Sequence, residues 1–121
     1  MQIRTSAEDY LETILLLSRK TGAVRSIDIA GETGYSRPSV SVAVKKLREG
    51  GFIKVDSDGF ITLTDTGLEA AEQVYERHSV IYEWLVASGV SENAAAIDAC
   101  RMEHVISNET FTVIKKLAGA N

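Results

Sequence analysis

The sequence predicts a mainly α-helical chain with one small β-hairpin: an N-terminal winged helix-turn-helix and a C-terminal helical domain. Apolar residues recur at helical spacing in six separate stretches, most of them bounded by a capping residue or a glycine. Only around Asp56-Ser57-Asp58-Gly59 do two short β-like runs flank an Asp-Gly turn. With 121 residues and 45% hydrophobic content, the chain can bury one core or two small ones, and disorder is not expected.

The first helix is expected from Thr5 to about Arg19. Thr5-x-x-Glu8 has the capping-box pattern, and Ala7, Leu11, Ile14 and Leu15 form its inward stripe. Gly22 ends that region. Ser26 is expected to cap a second helix over Ile27 to Thr33, with Ile27, Ile29 and Ala30 as its apolar positions. After Gly34, Ser36 caps a third helix, with Pro38 in its first turn, where a missing N–H costs nothing. Val40, Ala43, Val44 and Leu47 face inward. Gly50-Gly51 stops the helix, and Phe52 to Val55 and Phe60 to Leu63 form the hairpin.

Helix, short glycine-containing turn and helix make a helix-turn-helix, and a hairpin directly after it makes a winged helix. Thr64 caps a long helix reaching about Ala87, with the stripe Leu68, Ala71, Tyr75, His78, Tyr82 and Leu85. Gly89 ends it. Ser91 caps a helix from Glu92 to about Ile106. Ser107 caps a last helix with Phe111, Ile114 and Leu117 inward, and Gly119 stops it. The expected domains are 1–64, the winged helix-turn-helix, and 65–121, the helical domain.

The outer face of the third helix carries Arg37 and Ser39 at its start, then Pro38, Ser41, Val42, Lys45 and Lys46. Short side chains allow approach to base edges, an exposed valine or proline can meet a thymine methyl, and lysines pair with phosphate. Net charge is −4, yet residues 19 to 54 hold eight basic and three acidic groups, a local +5. The remainder holds five basic and fourteen acidic groups, or −9. A basic segment in an acidic chain fits contact with phosphate through one part only. The expected DNA-binding residues are Arg25, Ser36, Arg37, Pro38, Ser39, Ser41, Val42, Lys45 and Lys46. Asp56 and Asp58 make the wing acidic, so phosphate contacts are expected from the helix more than from the wing.

Cys100, Glu103 and His104 stand at i, i+3 and i+4 and share one helix face. Asp9 and Glu12 are three apart on the first helix, and His78 lies on the inward stripe of the long one. Each has an ordinary explanation taken singly: a buried thiol, first-turn charge, a solvated carboxylate, a satisfied core histidine. Together they point to a divalent-metal site drawn from both ends of the chain. Carboxylate and imidazole suit Mn²⁺ and Fe²⁺, and one thiolate moves preference toward softer ions such as Fe²⁺, Co²⁺ or Zn²⁺.

A single cysteine excludes an internal disulfide. The N-terminus lacks the apolar core of a signal peptide, and no apolar run approaches the roughly 20 residues of a membrane span. A cytoplasmic protein without membrane contact is expected. No nucleophile motif or phosphate loop marks an enzyme.

The pattern Glu8-Asp9-Tyr10-Leu11-Glu12-Thr13-Ile14, the winged helix, Arg77-His78 and Asp98 to Ser107 closely resemble the diphtheria-toxin-repressor and manganese-transport-regulator family. The resemblance covers nearly the whole chain, in order and with matching spacing. It implies a homodimeric transcriptional regulator, a repressor of metal-homeostasis genes, activated by Fe²⁺ or Mn²⁺ and binding a palindromic double-stranded operator. Co²⁺, Ni²⁺ or Zn²⁺ are expected to substitute in vitro. Carried over by position, the metal ligands are Asp9, Glu12, His78, Cys100, Glu103 and His104.

Asp9 matches the manganese-type branch, where iron-type members have methionine. Cys100 matches the iron-type branch, where manganese-type members have glutamate. Ala96 stands where iron-type members have a second-site histidine, and Val42 where they have glutamine. With the chain ending at Asn121, the expected form is the short one, lacking the C-terminal SH3-like domain. The competing readings are a winged-helix regulator that answers to a non-metal ligand or is constitutive, a metallohydrolase, and a protein-interaction module.

Overall fold

In the computed structural model, residues 2–119 are described, with side chains from Ala7 onward. The elements run α1 (Gln2–Thr21), α2 (Ser26–Thr33), α3 (Arg37–Glu49), β1 (Ile53–Val55), β2 (Ile61–Leu63), α4 (Asp65–Ala87), α5 (Glu92–Val105) and α6 (Asn108–Leu117). Two compact units result, Met1–Glu72 and Gln73–Asn121.

The first unit is a winged helix-turn-helix, as expected. α1, α2 and α3 pack on one another over Leu11, Ile14, Leu15, Val24, Ile29, Val40 and Leu47, all 5% exposed or less. Tyr10 and Leu17 join this core. α1 begins three residues before the expected cap, so Thr5 is helical rather than a cap; its side chain lies outside the described residues. α2 begins at Ser26, not after it. The N-cap is Arg25, whose backbone N–H donates to the Asp28 carboxylate at 2.9 Å. Of the expected apolar positions, Ile27 is 56% exposed, whereas Ile29 is fully buried. Positions two apart on a helix point to different sides, so both could not face the core.

β1 and β2 are antiparallel, with Ile53 opposite Leu63 and Val55 opposite Ile61. The turn is held by Asp56, whose Oδ1 accepts from the backbone N–H groups of Asp58 and Phe60, both at 2.9 Å. Gly59 adopts a positive φ of 86°, which is why Asp-Gly was a useful signal. Ile53 and Ile61 are buried in the same core, and the Ile61 N–H donates to Val24 O at 2.7 Å.

Thr64 sits at the start of α4, accepting from the Gly67 N–H at 3.1 Å and donating to Gly51 O at 2.6 Å. The buried stripe of α4 differs from the expected one. Gly67, Ala71, Val74 and Ile81 are inward, whereas Leu68 and Tyr75 are 38% and 37% exposed. The cause lies at Gly67, where a Cβ would stand 1.9 Å from the Phe52 carbonyl oxygen. Only glycine allows that approach, and it sets the rotation of the helix. His78 keeps its place, since 67, 71, 74, 78 and 81 alternate steps of four and three.

The second unit packs Val80 and Ile81 of α4 with Ala99 of α5 and Phe111 and Ile114 of α6. Ser91 caps α5 and Ser107 caps α6, accepting from the N–H groups of Ala94 and Thr110. Leu117, expected inward, is 67% exposed. It stands with Ile97, Val105 and Val113 among the exposed apolar side chains of this unit. Among the described residues, no helix is long and apolar enough to cross a membrane.

Candidate metal centre and DNA-reading face

The C-terminal unit holds four of the expected ligands. His78 projects from α4; Cys100, Glu103 and His104 lie on the last two turns of α5. His78 Nδ1 and Glu103 Oε1 lie within hydrogen-bonding distance, 2.8 Å apart. The His104 Nε2 atom lies 3.6 Å from the other carboxylate oxygen, Oε2, beyond hydrogen-bonding reach. The Glu103 side chain is fully buried and that of His104 is 5% exposed. Oε2 has no hydrogen-bond partner among the described residues. Cys100 is exposed, one turn before Glu103 on α5.

This chemistry suits a cation. A buried carboxylate oxygen left unmatched costs about 1–3 kcal/mol or more, since desolvation is not offset. Imidazole on either side of a carboxylate is a borderline donor set, and a thiolate nearby widens the choice of ion. The expected ligands His78, Glu103 and His104 are thus brought together in this unit.

Arg77 is a contributor whose role the sequence reading did not assign. Its Nη1 donates to the backbone carbonyls of Glu103 at 3.1 Å and Ile106 at 2.9 Å, and its Nη2 to Asn108 Oδ1. The guanidinium also lies over the Phe111 ring, 5.3 Å from its centroid. A cation at the open carbonyls of a helix C-terminus is favourable. Here it fastens the end of α5, which bears Glu103 and His104, to the turn of α4 that bears His78. The only sequence signal was its adjacency to His78.

The remaining two expected ligands, Asp9 and Glu12, belong to the first unit and are half-buried on successive turns of α1. The Tyr35 hydroxyl donates to Asp9 Oδ2 at 3.3 Å. Glu12 lines a shallow hollow with Thr13, Lys20 and Glu32. Tyr10, beside Asp9, has its pKa raised above 10.0, first by burial and then by the Asp9 charge.

The face of α3 is as expected: Arg37, Pro38, Ser39, Ser41, Val42, Lys45 and Lys46 are all exposed. Ser36 and Ser39 also serve the fold. Ser36 Oγ accepts from the Ser39 N–H at 3.2 Å and donates to Ser39 Oγ at 2.9 Å, closing the helix start. Arg25 lies at the wing. It donates to Asp58 O at 2.7 Å, and its guanidinium sits 4.4 Å from the Phe60 ring centroid.

Residues 2–59 match the family described as iron dependent repressor, N-terminal DNA binding domain, and residues 64–120 match its metal binding and dimerisation domain. The transcriptional regulator MntR of Escherichia coli is 35% identical over 112 residues, covering 93% of this chain and 72% of that protein. An uncharacterised helix-turn-helix transcriptional regulator of Methanocaldococcus jannaschii is 31% identical, covering 91% and 90%. Among solved structures, a manganese-dependent transcriptional repressor in complex with manganese superposes with a TM-score of 0.86 at 28% identity, over 95% of this chain. The manganese regulator SloR gives 0.83 at 27%. The chain spans 53% and 54% of the length of those two structures. With both family halves matched in order, a winged helix in front and a histidine–carboxylate centre behind, the chain belongs to the iron-dependent-repressor family of metal-dependent, DNA-binding transcriptional regulators.

Proposed function

We propose that this protein is a cytoplasmic homodimeric repressor that binds an operator when loaded with Mn²⁺ or Fe²⁺. Its functional division is taken at residues 1–64 for DNA reading and 65–121 for metal binding and dimerisation. The observation that carries this reading is Glu103, buried to 2% exposure with an unmatched carboxylate oxygen between two histidines. The ligand set is Asp9, Glu12, His78, Cys100, Glu103 and His104.

A bound dication supplies positive charge where these donors otherwise repel one another. The hydrogen bond between His78 and Glu103 holds two of the four C-terminal donors in place before any ion arrives. Asp9 and Glu12, on the helix that packs against α3, give the site a grip on the reading unit. The exposed side chains Ile97, Val105, Val113 and Leu117 offer apolar surface for a second copy to cover. A dimer must set its two recognition helices about one DNA turn apart, roughly 34 Å. On DNA, Arg37, Ser39, Ser41 and Val42 face base edges and nearby phosphates, while Lys45, Lys46 and Arg25 meet phosphate. Metal then acts by its differential affinity for the DNA-competent arrangement.

The test is operator binding in Mn²⁺ or Fe²⁺ against binding in chelator, for the wild type, Glu103→Ala and His104→Ala. Metal is expected to raise wild-type affinity at least tenfold (about 1.4 kcal/mol) and to leave both variants at the chelated level as folded dimers. Equal wild-type affinity in chelator and in metal rejects the reading and favours a regulator that answers to another ligand or none.

A further inference from the structure

We propose that Tyr35 is a positioning residue that supports Asp9 from outside the metal's ligand sphere and ties it to the start of the recognition helix. This rests on the reading of Asp9 as a ligand. Tyr35 stands between α2 and α3, and three elements meet at it. Its hydroxyl donates to Asp9 Oδ2 at 3.3 Å, on α1. Its ring lies 5.5 Å from that of Tyr10, tilted by 58°, and Tyr10 is anchored in the core at 5% exposure.

The main chain is equally constrained. The Tyr35 N–H donates to Thr33 Oγ1 at 3.1 Å, and that hydroxyl donates to Ile29 O at 2.8 Å, so residue 35 is fastened to the end of α2. The next residue, Ser36, is the N-cap of α3. A displacement of the Tyr35 ring is therefore felt at the first residues of the helix that reads DNA.

Packing against Tyr10 accounts for the ring and not for a hydroxyl directed at a carboxylate. Tyr35 is 42% exposed, in a turn where a small polar residue would satisfy the backbone. Accepting from Tyr35 through Oδ2 restricts the orientation in which the Asp9 carboxylate would meet a cation. Hydrogen bonds of this kind to ligating carboxylates change metal affinity by about 10–100-fold when removed. Because the same contact leads to α3, the coupling is reciprocal: what aligns Asp9 for metal aligns the start of α3.

Tyr35→Phe keeps the ring and removes only the hydroxyl. Mn²⁺ affinity is read from the electron paramagnetic resonance signal of free Mn²⁺, operator affinity is measured in Mn²⁺ and in chelator, and thermal unfolding is followed in chelator. The expected result is Mn²⁺ affinity about tenfold weaker, a smaller ratio of metal-loaded to chelated operator affinity, and an unchanged unfolding midpoint. A purely structural role would lower the midpoint and leave Mn²⁺ affinity alone, which overturns the proposal. Asp9→Asn is measured in parallel. If it weakens Mn²⁺ binding and Tyr35→Phe does not, the proposal fails and the ligand reading stands; if neither changes Mn²⁺ binding, both fail.

Discussion

Glu103 carries a carboxylate into a place where water cannot reach it, with one oxygen on His78 and the other unmatched. A carboxylate buried this way opposes folding unless a cation offsets it, which is the role the proposed site gives it. Glu103→Gln keeps the shape and an acceptor for His78 but removes the charge. Its metal-free unfolding midpoint is expected to equal or exceed that of the wild type. At Mn²⁺ one hundred times its dissociation constant, the wild type gains about 2.7 kcal/mol and the variant close to none. Calorimetry with and without chelator checks this, and an equal Mn²⁺-induced shift in both proteins would remove Glu103 from the site.

Tyr10 gives a pH prediction at the same scale. Its folded pKa is raised above 10.0, by burial first and by Asp9 second. Well below pH 10.0 the phenol is neutral in both states and this contribution to stability is at its full value. Above it, the unfolded chain releases the proton first, so stability falls as pH rises through the folded pKa. Tyr10→Phe is expected to flatten that alkaline decline in urea titrations between about pH 9 and 11; an unchanged slope assigns the decline to other groups.

At the scale of elements, most boundaries were legible because each helix carries its own stop and start signals. Ser36, Ser91 and Ser107 cap where expected, and Asp56 and Gly59 form the turn of the hairpin. Rotations about helix axes were less legible. Two stripes were available on α4, one through Leu68 and Tyr75 and one through Gly67 and Val74, both with helical spacing. The choice is made by the Phe52 carbonyl, which occupies the space of a Cβ at residue 67. Gly67→Ala must shift that backbone and is expected to cost about 1–3 kcal/mol, read as a lower urea midpoint at unchanged slope. A neutral substitution would show that the approach relaxes freely. Likewise, the position of Leu117 follows helical spacing inward, yet the side chain is exposed, since the core of its unit is filled by Phe111 and Ile114.

For the whole molecule, charge is segregated along the chain. The basic stretch of residues 19 to 54 lies in the reading unit of a chain with net charge −4. Attraction to DNA is then local, and its salt dependence counts the phosphates that are met. Lys45→Ala is expected to weaken binding to all sequences alike and to reduce the slope of log affinity against log salt by about one. A slope equal to that of the wild type would place Lys45 outside the interface.

The sequence by itself determined the winged helix-turn-helix, the order of the helices, the exposed face of α3 and the donor types gathered on α5. These depend on local spacing, capping and turn chemistry, which neighbouring residues settle among themselves. Only the tertiary structure decided that Glu103 is buried with an unmatched oxygen, that Arg77 grips the end of α5, that Tyr35 reaches Asp9, and which side of α4 faces inward. Each of these joins residues between 25 and 30 positions apart, or turns on a single close approach between backbones. No local pattern encodes such distances, because they are set by how packed elements exclude water from what lies between them.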